Sequence, residues 1–432
     1  MRHHALALLR SLRGDRSGAF AALRAGLEAA TTGTERLGDP GVRAHAVRAG
    51  ERLADFGLSL ALRDGCPETV LAWAEHWRGT ARGRPGEPLI PERLRAALGD
   101  AVLIEMVRHG DRLAAVVVTS DRCVLRWLGS YTASAEATIR LRYGLRRAGL
   151  RDTGTRGGVA AEAERLAERL LGPLAGDIAD RPAVIVPSGA LHTLPWPVLP
   201  PFRGRPLCVA SSAGTWLAAA SRLPGHLSHG DGGAAVAAVA GPGLHHAEAE
   251  AAMVVRAYRE APHRPRQDPA RAVTAARVGA NTGDVLEALG HAEVLHVAAH
   301  GYFCARSPLL SSVALDDGPL MAYDLLGLPR SPWLVVLSAC DGGMAHAPVD
   351  GAPLGLAGAF LEQGTACVIA GLVPVRDDEA LTLMTLFHAL LISGHTPAEA
   401  LATAGEKTGV LGFACFGSLG HPVFPRLVPP GG

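Results

Sequence analysis

Apolar side chains in the N-terminal part of the chain recur every three or four residues, which is the spacing of amphipathic helices. The pattern predicts helices at residues 5–12, 19–30, 47–62 and 69–77. Segments rich in Gly, Thr and Pro separate them, so we expect stacked helical hairpins, although no clear repeat of tetratricopeptide length is visible. Residues 82–91, rich in Pro, Gly and Arg, are the predicted linker at the end of this helical segment.

Beyond the linker the pattern changes to short β-branched runs. Residues 101–106, 113–119 and 123–128 predict an antiparallel meander. A helix follows at 160–171 and a strand at 183–186. Residues 234–240 are almost pure Ala and Val, as expected for a parallel strand covered on both faces.

Strands and helices then alternate to the end of the chain. The predicted strands are 293–299, 333–338 and 366–371, and the predicted helices are 247–259, 282–289, 354–362, 378–391 and 397–405. Alternation of this kind predicts an α/β fold with a mostly parallel sheet and helices on both faces. Its reactive groups should lie beyond the carboxyl ends of the strands.

Composition excludes several classes of protein. With 42 basic and 41 acidic side chains, no overall field favours nucleic acid or an anionic membrane. The seven cysteines are odd in number and include no CxxC pair, so we expect free thiols in a reducing cytoplasm. No apolar run is long enough to span a membrane. We expect no cofactor and no metal.

Two predicted strands end in reactive side chains with glycine close behind. LHVAAHG ends with His300 and Gly301, and VVLSACDGG contains Cys340 followed by Asp341 and Gly342. If the strands are parallel neighbours, His300 and Cys340 lie side by side. A thiol is a good nucleophile, and an imidazole can hold the thiolate and protonate the leaving amine.

The backbone N–H groups of Gly301 and Cys340 are the predicted oxyanion hole. A structural interpretation stands beside this one, since a cysteine at a strand end is often a small buried hydrophobe. A histidine there is often bonded to a backbone carbonyl. From the residues alone, the two interpretations remain open.

Other candidate sites are weaker. GPGLHH, after residues 234–240, has only two of the three glycines of a dinucleotide motif. A metal site at His245, His246, Glu248 and Glu250 matches no standard spacing, and a solvated helix start is the better interpretation. His296 is interpreted as a core histidine, although it could orient the site.

Two acidic residues, Asp377 and Asp378, follow the predicted strand 366–371. One interpretation is that both simply cap the helix that comes next. We favour capping for Asp378 and leave Asp377 open.

The motifs from residue 101 to 428 resemble the CHAT family of caspase-like and separase-like peptidases of clan CD. They include VPSGALHTLPWPVL, HVAAHG, LVVLSACDGG and HPVF, in family order. The resemblance implies a caspase-like α/β/α sandwich with Cys340 and His300 as its catalytic pair. It implies a degenerate caspase-like half at 91–240, a catalytic half at 241–432, and a tetratricopeptide-like segment at 1–90 that ends in VLAWAEHWRG.

The chain departs from the family pattern near the substrate. Many relatives have Glu and Thr where Asp341 and Gly342 stand, and Trp where Val373 precedes Pro374. In caspase-like enzymes the strand end near residue 371 lines the specificity pocket, so the resemblance implies that Asp377 at its floor would favour Arg or Lys before the scissile bond, with Asp341 as the rival acid. The substrate-binding candidates are Asp341, Gly342, Val375 and Asp377.

We expect a bacterial, cytoplasmic cysteine endopeptidase that cuts one dedicated protein partner in signalling or defence. A regulatory protein could bind the N-terminal helices. The alternatives are a catalytically idle CHAT scaffold, which would not need both His300 and Cys340, and a nucleotide-binding α/β protein.

Overall fold

The computed structural model describes residues 2–32, 37, 42, 47–82, 89–150, 156–225, 235–261, 273–346 and 353–424. Its N-terminal segment forms α1 (Arg2–Leu12), α2 (Arg16–Thr31), α3 (Glu51–Asp64) and α4 (Pro67–Ala81), which confirms the predicted helices. Most of the predicted linker lies outside the described residues. A helix that the pattern did not predict, α5 (Pro91–Leu98), follows it.

Close packing holds α3 against α4. A Cβ at Gly57 would lie 2.0 Å from the Trp73 ring, so only glycine allows this crossing. The indole Nε1 of Trp73 also donates to the Ala54 carbonyl at 2.8 Å. The predicted helical hairpin is thus locked by one aromatic side chain.

The described strands form an 11-stranded sheet and a small three-stranded sheet. The strands are β1 (Val102–His109), β2 (Arg112–Val118), β3 (Cys123–Ser130), β4 (Ala183–Val186), β5 (Leu207–Val209), β6 (Val236–Ala240), β7 (Ala275–Val278), β8 (Val294–Ala298), β9 (Gly301–Tyr302), β10 (Ser312–Leu315), β11 (Gly318–Met321), β12 (Leu334–Ser338), β13 (Cys367–Gly371) and β14 (Phe413–Gly417). The order in the large sheet is β3-β2-β1-β4-β5-β14-β13-β12-β8-β6-β7.

Strand direction divides the large sheet into two blocks. In the first block, β1, β4, β5 and β14 are mutually parallel, and the β2–β3 hairpin continues it as the predicted meander. In the second block, β13, β12, β8, β6 and β7 are mutually parallel. The antiparallel pair β13–β14 joins the two blocks. The predicted division of the chain at residue 240 stays a prediction.

Helices cover both faces of the sheet. They are α6 (Tyr131–Leu150), α7 (Arg156–Leu171), α8 (Ala175–Ile178), α9 (Ala213–Ala220), α10 (Ala247–Arg259), α11 (Thr282–His291), α12 (Leu356–Glu362), α13 (Asp377–Ile392) and α14 (Pro397–Thr408). Alternate residues of β12 enter different cores, with Leu334 and Val336 on one face and Val335 and Leu337 on the other. This is the α/β arrangement, with a mostly parallel sheet, that the alternating pattern predicts.

Two charged residues of α4 fix the helical segment to the first block. The carboxylate of Glu75 accepts from the backbone amides of Ala213 and Gly214 at 2.8 and 2.7 Å, at the start of α9. The buried Arg78 guanidinium lies 3.4 Å from Glu105 of β1. The helical segment is therefore built into the sheet domain.

Candidate active site

His300 and Cys340 follow neighbouring parallel strands. β8 and β12 pair in register, with Ala298 opposite Ser338, and each reactive residue comes two positions later. Because the carboxyl ends of parallel strands meet at one edge of a sheet, the fold brings the two segments together. This confirms the predicted parallel pairing. Both side chains line one small cavity of about 40 Å³.

Gly301 packs directly on the Cys340 backbone. A Cβ at Gly301 would lie 2.0 Å from the Cys340 carbonyl oxygen and 3.2 Å from the Ala339 side chain. No side chain fits in that space. The glycine predicted to allow close approach of a substrate therefore allows the two strand ends to touch each other.

The amide of Gly301 is turned away from the neighbouring strand. The amide of Ala314 donates to the His300 carbonyl at 2.8 Å, and Gly301 stands opposite Val313 in the β9–β10 pair. Hydrogen-bonded and non-bonded pairs alternate in antiparallel strands, so Gly301 and Val313 form a non-bonded pair. Its N–H is not used in the ladder with β10. The predicted oxyanion hole of Gly301 and Cys340 stays a prediction.

Cys340 lies half-buried beside charged residues. Burial raises the pKa of the Cys340 thiol, and a hydrogen bond from the backbone N–H of Val375 opposes that rise. Val375, a predicted substrate-binding residue, thus touches the sulfur. Because burial disfavours the thiolate, the sulfur needs a cationic partner to ionise near neutral pH.

The exposed His300 ring lies against the turn after β6. A Cβ at Gly243 would be 3.3 Å from both Cδ2 and Nε2 of His300, and Gly243 has φ +81°. This turn belongs to GPGLHH, which the sequence analysis considered only as an incomplete dinucleotide motif. Its glycine leaves room for the imidazole.

Asp341 holds an unusual backbone conformation directly after Cys340. Its φ is +56°, a left-handed conformation that costs energy for any residue with a Cβ. Its carboxylate pairs with Arg146 of α6 at 3.2 Å. Gly342 is buried beneath this turn, and its carbonyl accepts from Ala357 at 3.3 Å. Sequence reasoning missed Arg146, which lies 195 residues away along the chain.

Asp377 faces the same cavity as Cys340 and His300. It is the first residue of α13, and its carboxylate accepts from the amide of His246 at 2.8 Å. Asp378 instead pairs with Arg376, the N-cap residue of this helix, at 2.8 Å. The N-cap position belongs to Arg376, whose side chain makes no cap bond, so neither aspartate occupies it. The Asp378 carboxylate nevertheless accepts from first-turn backbone amides, including that of Glu379.

Glu250 also lines this cavity. The sequence predicted a solvated side chain, but Glu250 is buried. The side chain is only 1% exposed because it lies on the buried face of α10. Its Oε1 is 2.8 Å from Nε2 of the buried His296. The prediction of a solvated helix start is thus wrong for Glu250 and holds for the exposed Glu248. The core interpretation of His296 is confirmed by its burial.

The described residues contain neither a candidate metal site nor a candidate membrane span. No group of three or more His, Cys, Asp or Glu side chains there is arranged to hold a metal ion. Within the same ranges, no helix is both long and apolar enough to cross a membrane.

Comparisons with known proteins give both a family and a fold. The sequence model of the family described as the CHAT domain matches residues 160–408. No curated protein is significantly similar in sequence. Separase of Saccharomyces cerevisiae, in two structures of its complex with securin, is similar over 87% and 94% of this chain, with TM-scores of 0.54 and 0.50 and identities of 10% and 9%.

The separase chains are much longer, since the matched parts make up 34% and 38% of them. The RgpB pro- and mature domains of Porphyromonas gingivalis match 68% of this chain and 77% of theirs, with 12% identity and a TM-score of 0.39. The separase structures identify the fold as caspase-like, with helices before the sheet domain.

Proposed function

Because the chain belongs to the CHAT family, we propose that it is a cysteine endopeptidase in which Cys340 is the nucleophile and His300 its acid and base. The observation that carries the proposal is the contact between the two strand ends, where Gly301 packs on the Cys340 carbonyl. That contact holds a thiol and an imidazole in the wall of one cavity.

The reaction follows from these positions. The thiol proton of Cys340 passes to His300, and the sulfur attacks the carbonyl carbon of the scissile bond. The amides of Gly301 and Cys340 stabilise the oxyanion, and His300 protonates the departing amine. Water, activated by His300, then hydrolyses the thioester.

Asp377 supports a preference for a basic residue before the scissile bond. Its carboxylate is held by the His246 amide in the wall of the cavity, among apolar side chains such as Val373 and Val375. A guanidinium or ammonium group would find a charge partner there. Asp341 is the weaker candidate because its carboxylate is already paired with Arg146.

A large cleft supports a regulatory partner at the helical segment. It measures about 860 Å³ and lies between Asp55 and Trp77 of the helices, Arg142 of α6, and Phe303 and His346. The last two residues follow His300 and Cys340 closely along the chain. A protein bound in this cleft would therefore touch both the helices and the segments that carry the reactive groups.

Peptidyl acyloxymethyl ketones test the proposal. A probe with Arg at the ketone position should label Cys340 of the wild type, and His300→Ala should block the labelling. A matched probe with Asp should label poorly, and Asp377→Asn should reduce the preference for Arg. Absence of labelling with any probe and any activating partner would favour the idle scaffold.

A further inference from the structure

Four buried side chains form a hydrogen-bonded chain that ends at the candidate active site. The hydroxyl of Tyr258 is 3.2 Å from Nδ1 of His388. Nε2 of His388 is 3.1 Å from Nδ1 of His296, whose Nε2 is 2.8 Å from Glu250. All four are at most 1% exposed. We call this set the histidine chain.

One direction of donation satisfies every hydrogen bond in the histidine chain with both rings neutral. Burial raises the pKa of Tyr258, so its hydroxyl keeps its proton and donates to Nδ1 of His388 in this direction. Burial, followed by the nearby His296, lowers the pKa of His388 well below its usual value, so that ring is neutral and, when it accepts at Nδ1, donates from Nε2. His296 then accepts at Nδ1 and donates from Nε2 to Glu250.

This direction makes Glu250 the acceptor at the end of three aligned donors. A buried carboxylate is costly unless it is hydrogen-bonded, and here one N–H satisfies one of its oxygens. The chain spans α10, β8 and α13, so it fixes the carboxylate to three elements. A core that needed only packing would not place four polar groups in line.

The cavity beyond Glu250 is small enough to couple the groups around it. Its volume of about 40 Å³ accommodates about one water molecule. Glu250, His300 and Cys340 all line it, so the carboxylate shares one small cavity with both reactive groups. A single bridging water transmits a hydrogen bond nearly as well as direct contact.

Other charged groups also lie around this cavity. Asp377 of α13 lines the cavity from the opposite helix and is bonded to the His246 amide. Asp341, beside Cys340, is paired with Arg146 of α6. Glu250 differs from Asp341 because its partner is an imidazole and not a guanidinium, and it differs from Asp377 because its side chain is only 1% exposed.

We propose that Glu250 is a positioning residue of the active site, whose carboxylate, held by the histidine chain, stabilises the His300 imidazolium formed when Cys340 passes its proton to His300. This inference rests on the proposed function, because it requires that proton transfer. Without the carboxylate, the thiolate–imidazolium pair is less stable and the thiolate forms only at higher pH.

The pH profile of Cys340 alkylation by iodoacetamide tests this without any substrate. The full-length protein is treated with iodoacetamide at several pH values between 5 and 9. The rate of Cys340 alkylation is followed by peptide mass spectrometry, and Cys66 serves as the internal reference. Glu250→Gln keeps an oxygen for the His296 N–H. We expect it to slow alkylation of Cys340 about tenfold near pH 6–7, as one unit of pKa implies. The difference should vanish at high pH.

Glu248→Gln is the matched control, since Glu248 lies on the same helix, is exposed and pairs with Arg277. It should alkylate like the wild type. If Cys340 reactivity depends on His300 but Glu250→Gln matches the wild type, the positioning role is refuted and the Cys340/His300 pair survives. If His300→Ala leaves reactivity unchanged, both the pair and the role of Glu250 are refuted.

Discussion

The strand ends of the two blocks of the sheet are used in opposite ways. In the first block, Arg78 of α4 occupies the ends of β1 and β4, with its guanidinium 2.6 Å from the Met106 carbonyl and 3.2 Å from that of Pro187. In the second block, the ends of β8 and β12 leave a cavity lined by His300 and Cys340. Parallel strand ends gather polar groups in both blocks, but the first is occupied by a buried guanidinium and the second carries the two reactive side chains.

The two blocks also hold their buried polar groups differently. The first uses a permanent charge pair between Arg78 and Glu105, both at most 2% exposed. The second uses two hydrogen-bonded imidazole rings, His296 and His388, that lead to one carboxylate. In the first block, strand ends that are occupied by a buried ion pair suit permanent docking of the N-terminal helices. In the second block, the hydrogen-bonded rings hold the Glu250 carboxylate in the wall of the cavity.

Removing Arg78 should have the largest effect on stability. Arg78→Ala leaves Glu105 buried without its charge partner, and loss of one member of a buried pair typically costs about 3–5 kcal/mol. Urea unfolding measures this loss. Arg93→Ala, at an exposed position on α5, is the control and should change the free energy of unfolding little. Equal stability of the two variants would contradict the docking role.

The second-largest effect should come from separating the two strand ends that carry His300 and Cys340. Gly301→Ala forces a methyl group into the Cys340 carbonyl, where the Cβ would have 2.0 Å of space. We expect about a hundredfold loss of Cys340 labelling by a peptidyl ketone, as small displacements of reacting groups cost that much. Gly290→Ala on α11, where a Cβ meets nothing within 4 Å, should label normally.

The histidine chain should make stability depend on pH. Because burial lowers the pKa of His388 in the folded state, the unfolded chain binds more protons below about pH 6.5. Stability should therefore fall as the pH drops from 7 to 5, by up to about 1.4 kcal/mol per pH unit from this group.

Urea unfolding of His388→Gln over the same range should show a weaker pH dependence. Part of the slope should remain, because burial also lowers the pKa of His76. Carboxylates with lowered pKa values, such as that of Asp378, titrate below this range. An unchanged slope in the variant would mean that His388 is protonated in the folded protein.

Removing the backbone strain at Asp341 should have the smallest effect on stability. Both Asp341→Gly and Asp341→Ala lose the ion pair with Arg146, but only glycine adopts φ +56° without strain. We expect the glycine variant to be more stable than the alanine variant by about 1 kcal/mol. Thermal unfolding of the two variants measures this difference, and equal melting temperatures would exclude strain at this position.

The second block could be predicted from the sequence because its signals are local. LHVAAHG and VVLSACDGG each combine an apolar strand with its reactive end, and parallel pairing then determines which ends meet. α6 was missed because its apolar residues are interrupted by arginines. β14 was missed because its sequence, Phe-Ala-Cys-Phe-Gly, is short and does not alternate.

Long-range polar contacts could not be predicted. Nothing in the sequence near Arg78 shows that it reaches β1 and β4, or that Arg146 reaches Asp341. Glu250 is different, because its burial had a local signal. The buried residues of α10 are Ala247, Glu250, Ala251, Val254, Val255 and Tyr258, at helical spacing, so the carboxylate lies in the apolar stripe.

The most direct test of the central claim is cleavage of a diverse peptide library, read by mass spectrometry, by the wild type, Cys340→Ala and His300→Ala. We predict products with one consistent residue before the cut, formed by the wild type and absent from both variants, while all three proteins unfold at similar temperatures. Cleavage by Cys340→Ala at the wild-type rate would contradict the assignment of Cys340 as nucleophile.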